Sequence, residues 1–223
     1  MKFRLLVATM ALALGAVSQA APITLNFEGI APYPNSSNVL INNFYNGGTS
    51  SNGSSGTNYG VQFTSDAVLL CLNTIGTTCS NTSKGGTGVA GSDRGAMYFL
   101  NANPTMNVAA GFDTGFAMAF SNPFAANTGI EFWTGLDATG VLITSATLGN
   151  TTNGTEGGAC SAYGNVNYCP FANFSTTFAG TAHSVRFTGG AITPSTTTSR
   201  SAVSSLVVAA AIDRFRSPTR WRF

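Results

Sequence analysis

Apolar positions along the chain come in short runs, separated by clusters of Gly, Asn, Ser and Thr. Beyond residue 20 no stretch keeps a convincing helical period. Where the pattern is legible it has period two, the mark of a strand with one buried face. In FAMAF, Phe116, Met118 and Phe120 share one face, and Ala117 and Ala119 share the other. In GIEFWTG, Ile130 and Phe132 point inward, and Glu131 and Trp133 outward. In HSVRF, Val185 and Phe187 point inward, and Ser184 and Arg186 outward. The pattern predicts strands over 23–28, 39–44, 60–63, 67–72, 96–101, 106–110, 115–121, 129–133, 141–148, 172–178 and 184–188. Many short strands with turn clusters between them predict an all-β fold: a single-domain antiparallel β-sandwich of jelly-roll type.

Two turns follow from local chemistry. Asp113-Thr114-Gly115 in GFDTGF and Asp137 with Gly140 in WTGLDATGVLI are predicted between strands. Aspartate accepts nearby backbone N–H bonds, and glycine takes positive φ without strain. Residues 46–60 are low in complexity and are expected to form a mobile loop. Residues 81–95 are similar and contain G-x-G-x-x-G at Gly86, Gly88 and Gly91. No strand precedes that string and no helix follows it, so no dinucleotide site is read from it.

The front end adds an address. Lys2 and Arg4 precede a thirteen-residue apolar run over 5–17, followed by Ser18-Gln19-Ala20. That is the layout of a secretory signal peptide over 1–20, with signal peptidase cleavage after Ala20, and the run is short for a membrane span. Residues 21–192 are then expected to form the sandwich, outside the cytoplasm.

Charge removes some partners. Charged residues make up 8% of the chain, against about 25% in ordinary soluble domains. Between residues 21 and 192 three basic side chains face seven acidic ones, a net charge of −4. Such a body has no nucleic-acid footprint. Five arginines, from Arg200 to Arg222, crowd the last residues.

The four cysteines form two close pairs, Cys71/Cys79 and Cys160/Cys169, each bracketing a polar stretch. In an exported chain, disulfides with local pairing are the simplest of three connectivities. Their spacing does not suit zinc, and the single histidine, His183, is near neither pair.

Catalytic patterns are sparse. His183 has no G-x-S-x-G serine to serve, and HExxH is absent. Glu28, Glu131 and Glu156 supply carboxylates for glycoside hydrolysis, but nothing in their spacing pairs them. Trp133 and Glu131 offer sugar chemistry, an indole to stack on a pyranose and a carboxylate to accept its hydroxyls. The alternative is an indole packed under a loop or between sheets. Glu28 is the candidate ligand for a structural calcium tying first and last strands together.

Several segments carry a family resemblance: ITLNFEGI, FYNGGTSSNG…NYGVQFTSDAVLL, MNVAAGFDTGF, GLDATGVLI and CPFANFSTTFAGTAHSVRFTGGA, spanning about 23–191. Together they resemble secreted bacterial proteins that carry a PEP-CTERM sorting signal. The resemblance implies a β-sandwich from a Gram-negative, polysaccharide-producing cell. It also implies a last strand near I-x-F-D-N-I-T-L-G-S and a V-P-E-P segment read by an exosortase. The chain departs from that pattern at Ile192. Read one base out of register, PSTTTSRSA admits I-Y-D-N-I-T-L-G and DRFRSPTRWRF admits V-P-E-P-x-T-L-A-L, both in one frame. A frameshift near Thr193 is therefore expected. Residues 193–223 would be a disordered basic tail, the last strand would be missing, and no exosortase would process the chain. A short helix over 202–212 is the most order expected there.

The functional expectation is a secreted, non-enzymatic protein of the cell surface, biofilm or exopolysaccharide matrix. A carbohydrate-binding module or adhesin using Trp133 and Glu131 is the alternative, and a glycosidase the third reading. No cofactor is expected beyond a structural calcium.

Overall fold

The computed structural model describes residues 22–31, 39–72, 94–100, 103–122, 128–149, 151, 171–189 and 200–208, the last stretch and Leu100 by backbone alone. Among the described residues nine strands run in chain order: β1 Ile23–Leu25, β2 Val61–Phe63, β3 Val68–Cys71, β4 Gly95–Leu100, β5 Thr105–Ser121, β6 Thr128–Trp133, β7 Leu142–Leu148, β8 Ala172–Thr188 and β9 Arg200–Val208. All pairings are antiparallel, along the order β3-β4-β9-β5-β8-β6-β7, with β1 on β9 and β2 on β5.

Two seventeen-residue strands, β5 and β8, fold this sheet into a sandwich. In the upper layer Thr105, Met106 and Asn107 of β5 pair with Arg186, Val185 and Ser184 of β8. That half of β8 pairs with β6, which pairs with β7. In the lower layer the stretch from Thr114 to Phe120 pairs with that from Phe178 to Ala172, and β9 flanks β5. Between the halves the register slips at Phe112, and both strands bend. Gly111 (φ +74) and Gly180 (φ +92) take the positive φ that the bends require. A Cβ on Gly111 would come within 2.5 Å of Thr181 Cγ2, so the two bends approach too closely for any side chain there.

The layers close on an aromatic core. Phe132 of β6 meets Phe116 at 5.2 Å and Phe178 at 5.1 Å between ring centroids. Phe99 of β4 meets Phe187 of β8 across the layers at 6.3 Å. Phe112, Phe116, Phe132 and Phe187 are all essentially inaccessible, each contributing roughly 2–3 kcal/mol of hydrophobic transfer. Near the β1 end, buried Tyr45 packs edge-on against Phe27 and accepts the Phe27 backbone N–H at 2.8 Å. Phe27 has φ 56, and the phenol holds its backbone in that unusual conformation.

The all-β expectation holds, with local corrections. Residues 39–44 are not a strand: Leu40 makes one isolated bridge to Val68, and the chain then turns. Ile41, Phe44 and Tyr45 are buried at a spacing of three to four, which a turn serves and a strand does not. Residues 113–115 are a bulge within β5 rather than a hairpin, because β5 continues into the second layer. The expected strands over 172–178 and 184–188 merge into β8 for the same reason. The segment over 46–60 is not a loose loop. Gly56 and Tyr59 donate backbone bonds to Phe44 and Tyr45, and Ser51 donates to Leu40.

The largest correction concerns the tail. Part of the segment expected to be disordered, Arg200–Val208, forms β9 between β4 and β1 on one edge and β5 on the other. Val203, Val207 and Val208 are β-branched and suit extended backbone better than the short helix expected there. The remainder of 193–223 and the expected signal peptide lie outside the described residues.

Candidate functional site: the outer face of the upper layer

Strict alternation aims the candidate residues outward. Ile130 and Phe132 are fully buried in the core, and Gly129, Glu131 and Trp133 lie on the opposite face of β6, half-buried. Register places Glu131 directly opposite Arg186, and Trp133 opposite Ser184. The outward orientation of Glu131, Trp133 and Arg186 is as the sequence predicts.

These three side chains bind one another. Arg186 Nη2 lies 2.6 Å from Glu131 Oε2 and Arg186 Nε donates to the same oxygen at 2.8 Å. The indole N–H of Trp133 donates to it as well, at 3.0 Å. The guanidinium carbon stands 5.3 Å from the centre of the Trp133 ring, a cation–π distance. Three donors thus converge on Oε2, and Oε1 makes no hydrogen bond among the described residues. The arginine thus covers one side of the half-buried indole.

Beside Glu131 lies an open depression of about 300 Å³, lined by Gly129, Glu131, Ser145, Ala146, Thr147 and Thr188. It exists because position 129 has no side chain. A Cβ there would stand 2.8 Å from Thr188 Oγ1 and 3.0 Å from the Ala146 carbonyl oxygen. Those oxygens and Glu131 make its lining polar and hydroxyl-rich.

On the other side of Trp133, the β6–β7 connection folds down onto the sheet. Asp137 and Ala138 both have positive φ (53 and 56), as does Gly140 (79). Asn107 Nδ2 donates to Asp137 Oδ1 at 2.6 Å and Asn107 Oδ1 accepts the Asp137 backbone N–H at 2.8 Å. Ser184 Oγ donates to the Gly135 carbonyl at 2.6 Å and accepts the Ala138 N–H at 3.0 Å. Ser184 and Asn107 are buried although they face outward, because this loop covers them. The loop leaves Leu136, Val141 and Leu142 exposed at the end of the face. The turn at Asp137 and Gly140 is legible in the sequence, and its anchoring on Asn107 is not. The signal available was a polar residue at a strand position whose neighbours Met106 and Val108 are apolar.

The other candidates lie elsewhere. Glu28 follows β1 in a turn instead of standing on it, and its Oε1 accepts the backbone N–H groups of Arg94 and Gly95 at 2.9 and 2.7 Å. Both bonds go to Oε1, so the carboxylate clamps the start of β4 through that oxygen. No grouping of three His, Cys, Asp or Glu occurs among the described residues. Glu28 and Glu131 belong to opposite layers and are not brought together. Cys71 ends β3, is buried and is disulfide-bonded. Cys79, Cys160, Cys169 and Glu156 lie outside the described residues. His183 sits within β8, half-buried beside Gly111, and bonds no serine or carboxylate among the described residues.

No family model and no curated protein matches the chain. Among solved structures it is similar to a family 6 carbohydrate-binding module studied for its binding sub-sites. That likeness has 12% identity and a TM-score of 0.32, covering 64% of this chain and 82% of the other. It is also similar to a mutant of a family 29 carbohydrate-binding module, with 12% identity and a TM-score of 0.32, covering 71% of this chain and 99% of the other.

Proposed function

We propose that the protein is an exported, non-catalytic β-sandwich that binds carbohydrate on the outer face of β6, β7 and β8, with extracellular polysaccharide as its partner. The observation that carries this reading is the depression over Gly129, walled by Thr188, Ser145, Thr147 and the immobilised carboxylate of Glu131. Its volume is at the lower end for small-ligand sites, a size that suits one sugar ring. Hydroxyls and a fixed carboxylate are the groups that read sugar hydroxyls. Glu131 is the one carboxylate lining the depression among the described residues and is ion-paired, which suits binding better than glycoside hydrolysis, a reaction that uses two carboxyl groups about 5–9.5 Å apart. The signal-like leader and the disulfide at Cys71 support an oxidising, extracytoplasmic setting.

Affinity electrophoresis through gels containing soluble polysaccharides tests the reading. Ser145 and Thr147 are exposed, so Ser145→Ala and Thr147→Val leave the fold alone. The double variant is expected to lose retention that the parent shows. Equal retention of parent and variant would move the site elsewhere.

A further inference from the structure

Resting on the carbohydrate reading, we infer that the site takes a neutral glycan and excludes uronate or sulfated chains. The argument is about which charges are spent. Arg186 is the one cation whose side chain lies on this face among the described residues, and it is committed: Nε and Nη2 both bind Glu131 Oε2, and its plane stands by Trp133. Among the described residues, an anionic sugar entering the depression meets no uncommitted cation. It meets Glu131 Oε1, the carboxylate oxygen that carries no hydrogen bond among the described residues, and the Ala146 carbonyl. Both are acceptors only. The remaining contacts, from Ser145, Thr147 and Thr188, are hydroxyls that accept or donate as needed.

A lining of this kind needs donors from the ligand. The hydroxyls of a neutral pyranose supply them, and a hydroxyl given to Oε1 forms a charge-assisted bond. A carboxylate or sulfate offers acceptors alone: the three hydroxyls can turn their donors to it, but beside Glu131 Oε1 and the Ala146 carbonyl acceptor faces acceptor, and at Oε1 charge faces like charge.

The test measures retention of the whole chain by dextran, galactomannan and arabinoxylan against polygalacturonate and alginate, at low and high salt. The expected result is retention by at least one neutral polymer and by neither acidic one. Salt should change that retention less than twofold, since no net charge is neutralised. Thr188→Ala, which leaves the Glu131 pair intact, should weaken neutral retention about fivefold, the loss of one hydrogen bond. Salt-sensitive retention by the acidic polymers alone would overturn this inference and leave the carbohydrate reading standing. Retention by none of the five would overturn both. Neutral retention unchanged in Thr188→Ala would overturn the placement of the ligand over Gly129.

Discussion

Glu131 and Arg186 stand opposite each other on β6 and β8 and join through a single carboxylate oxygen, with Nη2 at 2.6 Å and Nε at 2.8 Å. The pair is partly solvated, at 34% exposure for the arginine and 23% for the glutamate side chain. A fully buried pair would couple strongly, but solvent screening limits this one to about 0.5–1 kcal/mol. Stacking on Trp133 adds roughly 0.5–1 kcal/mol to the arginine's contribution. Arg186→Met should therefore cost about 1–2 kcal/mol. A double-mutant cycle with Glu131→Gln in urea should return a coupling that shrinks in 1 M salt. Zero coupling at low salt would show that the two side chains part in solution.

Asn107 holds the β6–β7 loop by two bonds to one residue, its amide to Asp137 Oδ1 and its carbonyl oxygen to the Asp137 N–H. It is buried beneath that loop. Asn107→Ala should cost about 1–3 kcal/mol, the range for an unpaired buried polar group. Asp137 has φ 53, so Asp137→Ala adds roughly 1 kcal/mol of left-handed strain to the lost bond. Asp137→Asn keeps both the acceptor and the tolerance of that conformation, and should stay within about 0.5 kcal/mol of the parent. Thermal melts of the three variants should rank them in that order.

Tyr45 links stability to alkaline pH. Burial pushes its phenol well above the ordinary range, and the nearby Glu28 and Tyr59 push in the same direction against the Phe27 N–H. A raised folded-state pKa favours the folded protein fully below the unfolded value of about 10. The contribution falls as the unfolded phenol ionises, at up to about 1.4 kcal/mol per pH unit. Urea midpoints of the parent should therefore drop above pH 10, and Tyr45→Phe should flatten that drop. The variant should also be about 1 kcal/mol less stable at pH 7, having lost the bond to Phe27. Parallel pH profiles would refute the assignment.

What the sequence made legible was local. Alternation in GIEFWTG aimed Glu131 and Trp133 outward because period two depends only on neighbours along one strand. Their mutual engagement was hidden, since Arg186 lies 55 positions away and reaches Glu131 only through the register of β6 on β8. The same limit hid the continuity of β5 and β8. A bend at Gly111 or Gly180 looks like a turn until the second layer is seen. Gly129 was equally silent, because a glycine that opens a depression is indistinguishable in sequence from one that merely turns the chain.

Glu28 offers a direct check on the calcium expectation. Its Oε1 accepts two backbone N–H groups at the start of β4, so a cation that leaves them in place would have to bind through Oε2. Glu28→Ala should cost about 1.5–3 kcal/mol, the range for bonds to a charged acceptor. EDTA should leave the parent's melting midpoint unchanged. A rise of several degrees on adding millimolar calcium, abolished in Glu28→Ala, would restore the cation reading.

The tail poses the sharpest alternative. If residues beyond 192 were only the product of a shifted frame, deleting them would leave the sandwich intact. The fold assigns Arg200–Val208 a different part. β9 pairs with β4 through Met97–Leu100 positions, with β1 through Ile23–Leu25 positions and with β5 from Ala117 to Ser121. It is the link between the β3-β4 edge and the rest of the sheet. At a net contribution of roughly 1 kcal/mol per backbone bond, its ladders approach the whole stability of an ordinary domain, about 5–15 kcal/mol. Its loss would also bare an edge of β5 and an edge of β4, and bare edges recruit other chains. A chain ending at residue 192 should therefore be insoluble or melt without cooperativity. A chain ending at residue 209, which removes Arg214, Arg216, Arg220 and Arg222 but keeps β9, should melt like the full-length protein. If the shorter chain melts as cooperatively as the longer one, β9 is dispensable and the tail is a by-product after all.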